Sequence, residues 1–366
     1  MRRRTFLATA LAAAGASRLW AAAGEKRWDD ASSVLEQAVD AKQINAAVLH
    51  VMHREHSFTR AFGNGVSENA MFLLGSVSKP INIAAVMAVF DQGKFQLDDP
   101  VRKFLPEFTG GGRDDVTMRH LLTHVSGLPD QVARNNDLRK SHAALSKFAE
   151  ETIKTPLEFA AGSKYQYSSM GILLATRIAE ILSGEDILTL VERTIFKPLE
   201  MKHSAQGLGK FPQDAMVPVQ MEGAAPESGG GDPNAKDWDW NSSYWRKLGA
   251  PWGGTHCSAP DVGKFLDEFL HARGKAIRPE TARLMTRNHN PTGYTPRGLG
   301  FGVGQASGSH GCSDQTFGHT GSTGTLCWAD PATDTVCVVL TSLPRRGAKQ
   351  HPRESAAERV AAAVRS

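Results

Sequence analysis

The chain has 366 residues, 41% hydrophobic and 22% charged, with 42 Lys+Arg against 38 Asp+Glu and four cysteines. That composition excludes a disordered, coiled-coil or disulfide-dense protein, and no apolar run reaches the roughly 18–20 residues that span a bilayer. The formal +4 sits at one end: residues 1–23 hold Arg2, Arg3, Arg4 and Arg18 and no acid, and the remainder balances at 38 against 38, so the charge does not imply an acidic partner.

In chain order, the first segment reads as a cleavable export signal. A basic start is followed by a short apolar stretch from Phe6 to Ala14 and by Ala21-Ala22-Ala23. Arg3-Arg4-x-Phe6-Leu7 resembles a twin-arginine signal. The expectation is cleavage after Ala23 and a periplasmic or secreted product. No cysteine follows the apolar stretch, so a lipid anchor is not indicated.

Val34, Leu35, Ala38 and Val39 predict a helix over 29–41. Residues 46–52 and 57–63 read as strands around the polar turn 53–56. An Ala-, Val- and Met-rich helix is expected over 76–92, stopped by Gly93. Between 100 and 250 the pattern is helical, at 117–123, 143–153, 170–182 and 186–195, with a Gly/Pro-rich loop at 223–237. A helix at 261–271 leads to alternating patterns at 299–303, 315–319, 324–329 and 335–341, then to an Ala-rich helix at 353–364. Strands at both ends predict an α/β (α+β) fold. One antiparallel sheet would be built from about 24–98 and 251–366, flanked by helices, with a mostly helical region over 99–250. A functional cleft is expected between the two regions.

Gly75-Ser76-Val77-Ser78-Lys79 opens the apolar helix. Ser76 and Lys79 are spaced i, i+3 and share a helix face. A serine hydroxyl becomes nucleophilic when a base takes its proton, and burial can lower a lysine's pKa enough to make it that base. Helix-start N–H groups can meet a developing oxyanion. Taken alone, the pair also fits an N-cap serine and a solvated first-turn lysine. Two later motifs follow in order: Tyr165-Gln166-Tyr167-Ser168-Ser169, then Phe317-Gly318-His319-Thr320-Gly321.

Ser-x-x-Lys, Tyr-Ser-x and His-Thr-Gly in this order resemble the serine β-lactamase and penicillin-binding-protein superfamily. Leu97-Asp-Asp-Pro-Val101, Arg119-His-Leu-Leu-Thr-His-Val-Ser-Gly-Leu-Pro129 and Ile195-Phe-Lys-Pro-Leu-Glu-Met201 resemble its class C-related branch of β-lactamases, DD-carboxypeptidases and family VIII esterases. The resemblance implies a β-lactamase/transpeptidase-like fold and no cofactor. It implies Ser76 as nucleophile, Lys79 as base, and Tyr167 as the proton shuttle, its phenol pKa lowered by Lys79. The N–H groups of Ser76 and Ser322 would form an oxyanion hole, with Ser169, His319, Thr320 and Gly321 docking the substrate. That substrate would be a small ester or amide, or a peptidoglycan-like peptide.

Ser169 stands where the second motif often has Asn, and His319 where β-lactamases have Lys. Both favour an esterase or peptidase over an efficient β-lactamase; the alternative is a weak or inactive cell-wall peptide-binding protein. His319 would also make carboxylate attraction weaker and pH-dependent. Trp238, Trp240, Trp245 and Trp252 crowd into one stretch, fitting either a pocket wall or pins for a long loop. Cys327 and Cys337 are expected to pair across a hairpin centred on Ala332, on one sheet face, as thiols or a disulfide. His53/His56 fall in the expected turn without a third metal ligand, and His120 and His124, i, i+4 on the expected short helix, lie in a segment that is structural in the resembling family, so no metal is expected. No Gly-x-Ser-x-Gly elbow, phosphate loop or basic stripe is present, so no nucleic-acid partner is indicated. Oligomeric state has no signature in the sequence.

Overall fold

The computed structural model describes residues 26–365. The export signal and cleavage after Ala23 expected from the sequence lie outside the described residues.

After helix α1 (Asp29–Asp40), strands β1 (Ala47–His53) and β2 (His56–Phe62) form a hairpin whose last pair is His53 with His56. Each strand takes in a histidine that the sequence pattern had assigned to the turn. Only Arg54 and Glu55 remain to reverse the chain, with Arg54 at φ 55°. Three very short strands, β3 (Phe72–Leu73), β4 (Ser204–Gln206) and β5 (Thr255–Cys257), make a second sheet in the order β3-β5-β4. They are too brief to leave an alternating pattern, and the sequence reading missed them.

The C-terminal meander comprises β6 (Gly302–Val303), β7 (Phe317–Gly321), β8 (Thr325–Asp330) and β9 (Thr335–Thr341). The main sheet runs β2-β1-β9-β8-β7-β6, antiparallel throughout, so N- and C-terminal strands meet at β1–β9. This is the terminal-strand sheet that the sequence order implies.

Helices cover both faces. On one, α1 lies against the C-terminal helix Pro352–Ala363, packed on Leu49, Val51, Trp328, Cys337 and Val339. On the other, Val48, Cys327, Ala329, Val336, Val338 and Leu340 face the main core. The remaining helices are α2 (Ser78–Asp91), α3 (Met118–Leu122), α4 (Asn135–Lys140), α5 (Leu145–Lys154), α6 (Ser169–Ser183), α7 (Ile187–Val191), α8 (Ser243–Leu248), α9 (Ala259–Leu270) and α10 (Pro279–Thr286), with the C-terminal helix as α11. Every residue of α2 from Ser78 to Val89 is buried, which is why its sequence has no polar stripe.

Two expectations change. Cys327 pairs with Val338 and Trp328 with Cys337, so the two cysteines lie on opposite faces of the sheet, and all four cysteines are free. The hairpin turn holds four residues after the Asp330–Thr335 pair, not an odd number about Ala332, and a one-residue slip flips a side chain to the other face. Second, α3 is capped by Thr117 and stops at Leu122. His124 lies beyond it at φ 62°, so His120 and His124 do not share a helix face.

Candidate active site

Ser76 sits in the 3-10 turn Gly75–Val77 that leads into α2. Gly75 has φ 54°, and a Cβ there would come within 2.9 Å of Thr323 Oγ1 and 3.2 Å of Ser322 N. A Cβ on Gly321 would lie 2.1 Å from the Leu74 carbonyl. These glycines let the end of β7 close directly on the residues before Ser76. The Thr323 and Thr325 hydroxyls lock that contact, donating to the Leu73 and Leu74 carbonyls at 2.6 Å each. The backbone of Ser322 is thereby set beside the Ser76 turn.

Lys79 Nζ donates to Ser76 Oγ at 3.0 Å and to the Trp252 carbonyl at 2.9 Å. It is 1% exposed. Burial, aided by Arg297 and opposed by Asp130, lowers its pKa to about 7. A polar bed holds the helix start: the Thr255 N–H donates to Ser78 Oγ, and Asn82 Nδ2 donates to the Ser78 carbonyl and to Gln206 Oε1.

Tyr167 lies immediately before α6, with Lys79 Nζ 4.7 Å from its ring centroid. The hydroxyl is buried and meets no partner with hydrogen-bond geometry. Burial raises its pKa above the ordinary 10, outweighing the opposing pull of Ser76 and Arg297. This corrects the expectation of a lowered phenol pKa: Lys79 faces the ring, and the resting side chain is a neutral phenol.

His319 is 8% exposed. Its Nδ1 donates to the Thr320 carbonyl at 2.8 Å, leaving Nε2 as an unpartnered buried acceptor. Burial first, then Arg297 and Lys79, push its pKa well below 6.5, so it is neutral throughout the physiological range. The pH-dependent carboxylate attraction expected of His319 therefore has no source. Thr320 and Ser322 are exposed at the strand end, with Gly321 buried between them. Ser169 turns away from this group: its hydroxyl and N–H both donate to Asp130 Oδ1, at 2.6 and 2.8 Å.

A cavity of about 360 Å³ opens over Ser76, Tyr167 and His319, walled also by Trp240 and by Arg297, Arg345, Arg346 and Arg353, with Glu227 as the acid among them; the Arg297 guanidinium lies 5.4 Å from the Tyr167 ring. The other three tryptophans are not in its wall. Trp245 stacks under Arg139, 3.7 Å from the guanidinium carbon, and meets Trp252 edge-on at 6.2 Å. Trp238 is buried beneath Lys140. They pin the loop, as the alternative reading has it. A larger hollow of about 520 Å³, between Leu188, Phe211 and Lys247, holds none of the motif residues.

Among the described residues Arg297 and Arg346 make no ion pair, whereas Arg345 contacts Glu354 at 2.8 Å. Arg297 donates to the Tyr165 hydroxyl at 3.1 and 2.9 Å. Arg353 is 2% exposed and donates to the Gly321 and Thr325 carbonyls at 2.5 and 2.7 Å, bracing the strand end from behind. Sequence reasoning missed these arginines and Asp130. They stand in loops, a 3-10 turn (Arg345 and Arg346) or a helix start (Arg353), where neither periodicity nor a motif marks them.

With this geometry in place, the comparisons are direct. Residues 31–362 match the family described as Beta-lactamase. A Salmonella enteritidis PT4 protein named "Putative D-alanyl-D-alanine carboxypeptidase" is 30% identical over 305 residues, 75% of this chain and 70% of that one. Among solved structures, EstCE1, titled a hydrolase with promiscuous acyltransferase activity, aligns over 92% of this chain and 99% of its own at TM-score 0.77 and 21% identity. The D-amino acid amidase of Ochrobactrum anthropi SV3 aligns over 93% and 99% at TM-score 0.77 and 20% identity.

Proposed function

We propose that this chain, which belongs to the β-lactamase family, is an exported serine hydrolase that cleaves ester or amide bonds through an acyl-enzyme on Ser76, preferring substrates that carry a carboxylate. The observation that supports the chemistry best is the 3.0 Å contact between Ser76 Oγ and a buried lysine whose pKa is lowered to about 7. At pH 7–8 a large fraction of Lys79 is the free amine, which can take the serine proton.

The steps follow from the groups present. Ser76 Oγ attacks the acyl carbon as its proton passes to Lys79 Nζ. The oxyanion is met by the N–H groups of Ser76 and Ser322. The Tyr167 phenol donates its proton to the departing amine or alkoxide and is reprotonated from Lys79, so proton count is conserved. A water then attacks the acyl-enzyme, its proton passing through the same relay to the departing Ser76 Oγ, which releases the acid and restores the serine.

The preference for a carboxylate rests on the cavity wall, where four arginines stand with one acid, Glu227, and where Arg297 and Arg346 make no ion pair among the described residues. Arginine keeps its charge at any relevant pH and matches a carboxylate in a bidentate fork. A peptide ending in a free D-amino acid fits that wall, and relatives bearing carboxypeptidase and amidase names support the choice of bond. Neutral ester hydrolysis is expected as a side activity.

Intact-mass spectrometry after a fluorophosphonate or penicillin should show one adduct, lost in Ser76→Ala. Turnover of p-nitrophenyl esters, D-Ala-D-Ala peptides and nitrocefin would rank the substrates. Absence of any Ser76-dependent adduct or turnover would leave the weak-binding alternative in its place.

A further inference from the structure

We propose that His124 is the positioning residue of Tyr167: it clamps the chain on both sides of the phenol and fixes the plane of its ring. The proposal rests on the reading of Tyr167 as proton relay, and its geometric half can be tested without turnover.

Four observations converge on one side chain. The His124 carbonyl accepts the Gln166 N–H at 2.9 Å, and its Nδ1 accepts the Ser168 N–H at 3.1 Å, so one residue holds the backbone on either side of Tyr167. The His124 ring lies 4.6 Å from the Tyr167 ring at 35°, against its face, and 6.3 Å from Tyr165 at 89°. His124 is 1% exposed. Its φ is 62°, a left-handed backbone that a side chain with a Cβ adopts at a cost.

The tautomer follows from the bonding. A backbone N–H can only donate, so His124 Nδ1 is bare and its proton is on Nε2. That Nε2–H is buried with no partner. Burial first, then the Arg297 and Lys79 charges, keep the ring neutral. The fold thus accepts a left-handed histidine and an unmet N–H at the one place where both neighbours of Tyr167 are held. A residue serving only to fill space would need neither.

No other residue type supplies all three functions. Glycine suits the backbone angle but offers neither acceptor nor ring. Asparagine tolerates the angle and can present Oδ1 to the Ser168 N–H, but has no ring to lie on the phenol. The test compares His124→Gly with His124→Asn. In His124→Gly, kcat should fall about 30-fold, the order expected when a reacting group shifts by less than an ångström. KM should stay within about two-fold, and the stoichiometric burst on Ser76 should persist. His124→Asn should recover about ten-fold of that loss, because it restores the Ser168 bond. The rise of activity with pH near 7 should be unmoved in both, since Lys79 is untouched.

Independently, 3-fluorotyrosine placed at position 167 should give one sharp fluorine resonance in the parent protein, a broadened or split one with His124→Gly, and a sharpened one with His124→Asn. A sharp, unshifted resonance in His124→Gly, or a kcat within two-fold of the parent, would overturn the proposal. So would equal losses in the two variants. If the parent forms no Ser76 adduct, the catalytic reading fails, and the fluorine spectra still decide whether His124 orders Tyr167.

Discussion

Two sets of residues around the Ser76 cavity are built on opposite electrostatic terms. In one, Lys79 has a pKa near 7, Tyr167 rests as a phenol and His319 is neutral, all because burial disfavours their charged forms. In the other, four arginines line the same cavity with one acid, Glu227, among them. On the proposed function the difference is a division of labour within one small cavity. Permanent charge would fall to guanidinium groups, which do not titrate, and proton transfer to groups whose desolvation brings protonated and free forms close in energy.

The largest expected effect breaks the first set outright. Ser76→Ala should lower turnover of every substrate by about 10³-fold or more and abolish the covalent adduct, read by intact mass. Lys79→Met should cost acylation about as much while stabilising the fold. The sign follows from linkage. Lys79 binds its proton less readily folded than unfolded, so the penalty for its burial is fully present below about pH 7 and disappears as pH rises toward the unfolded pKa of 10.5. Lys79→Met should therefore raise stability at pH 6 by on the order of 1–3 kcal/mol, measured by urea denaturation, with the gain shrinking at pH 10. In the parent, acylation should rise with pH through about 7.

Weakening the arginine set should give a smaller, selective effect. Arg346→Gln should reduce kcat/KM for carboxylate-bearing substrates about 5–20-fold relative to neutral esters, and added salt should narrow the same ratio. Equal losses on both substrates would move the anion's contact elsewhere. The smallest effect concerns His319: because it stays neutral, KM for a carboxylate substrate should be flat from pH 6 to 9. A rise in KM across that range would mean that a titrating group takes part in binding.

This division also marks what was legible in the sequence. Ser76 and Lys79 are three residues apart on one helix, and Tyr167 and His319 stand in short motifs, so local spacing exposes them. The arginine wall gathers Arg297, Arg345, Arg346 and Arg353 from separate loops and a helix start, and only the folded chain brings them together. Strands β1, β8 and β9 were readable because seven or six residues of β-branched and apolar type suffice to show a pattern. The two- and three-residue strands of the small sheet were not. The Cys327–Cys337 reading failed by one position because composition locates a turn but does not count its residues. His124 lay in a motif whose i, i+4 spacing suggested a helix, and the left-handed turn that gives it its contacts has no sequence mark beyond the following Gly127.

The pairing of β1 with β9 and the stitching of Leu73 and Leu74 to Thr323 and Thr325 have a consequence for the order of assembly. A growing chain that has reached residue 300 holds Ser76, Lys79 and Tyr167 but lacks the strands that cradle them. The Ser76 turn is completed by some of the last residues to be synthesised. High sequence separation of this kind slows folding and delays completion of the site until the chain is released. On the proposed function, a nascent or truncated chain would be chemically idle, and activity would arrive in a single step with the C-terminal meander.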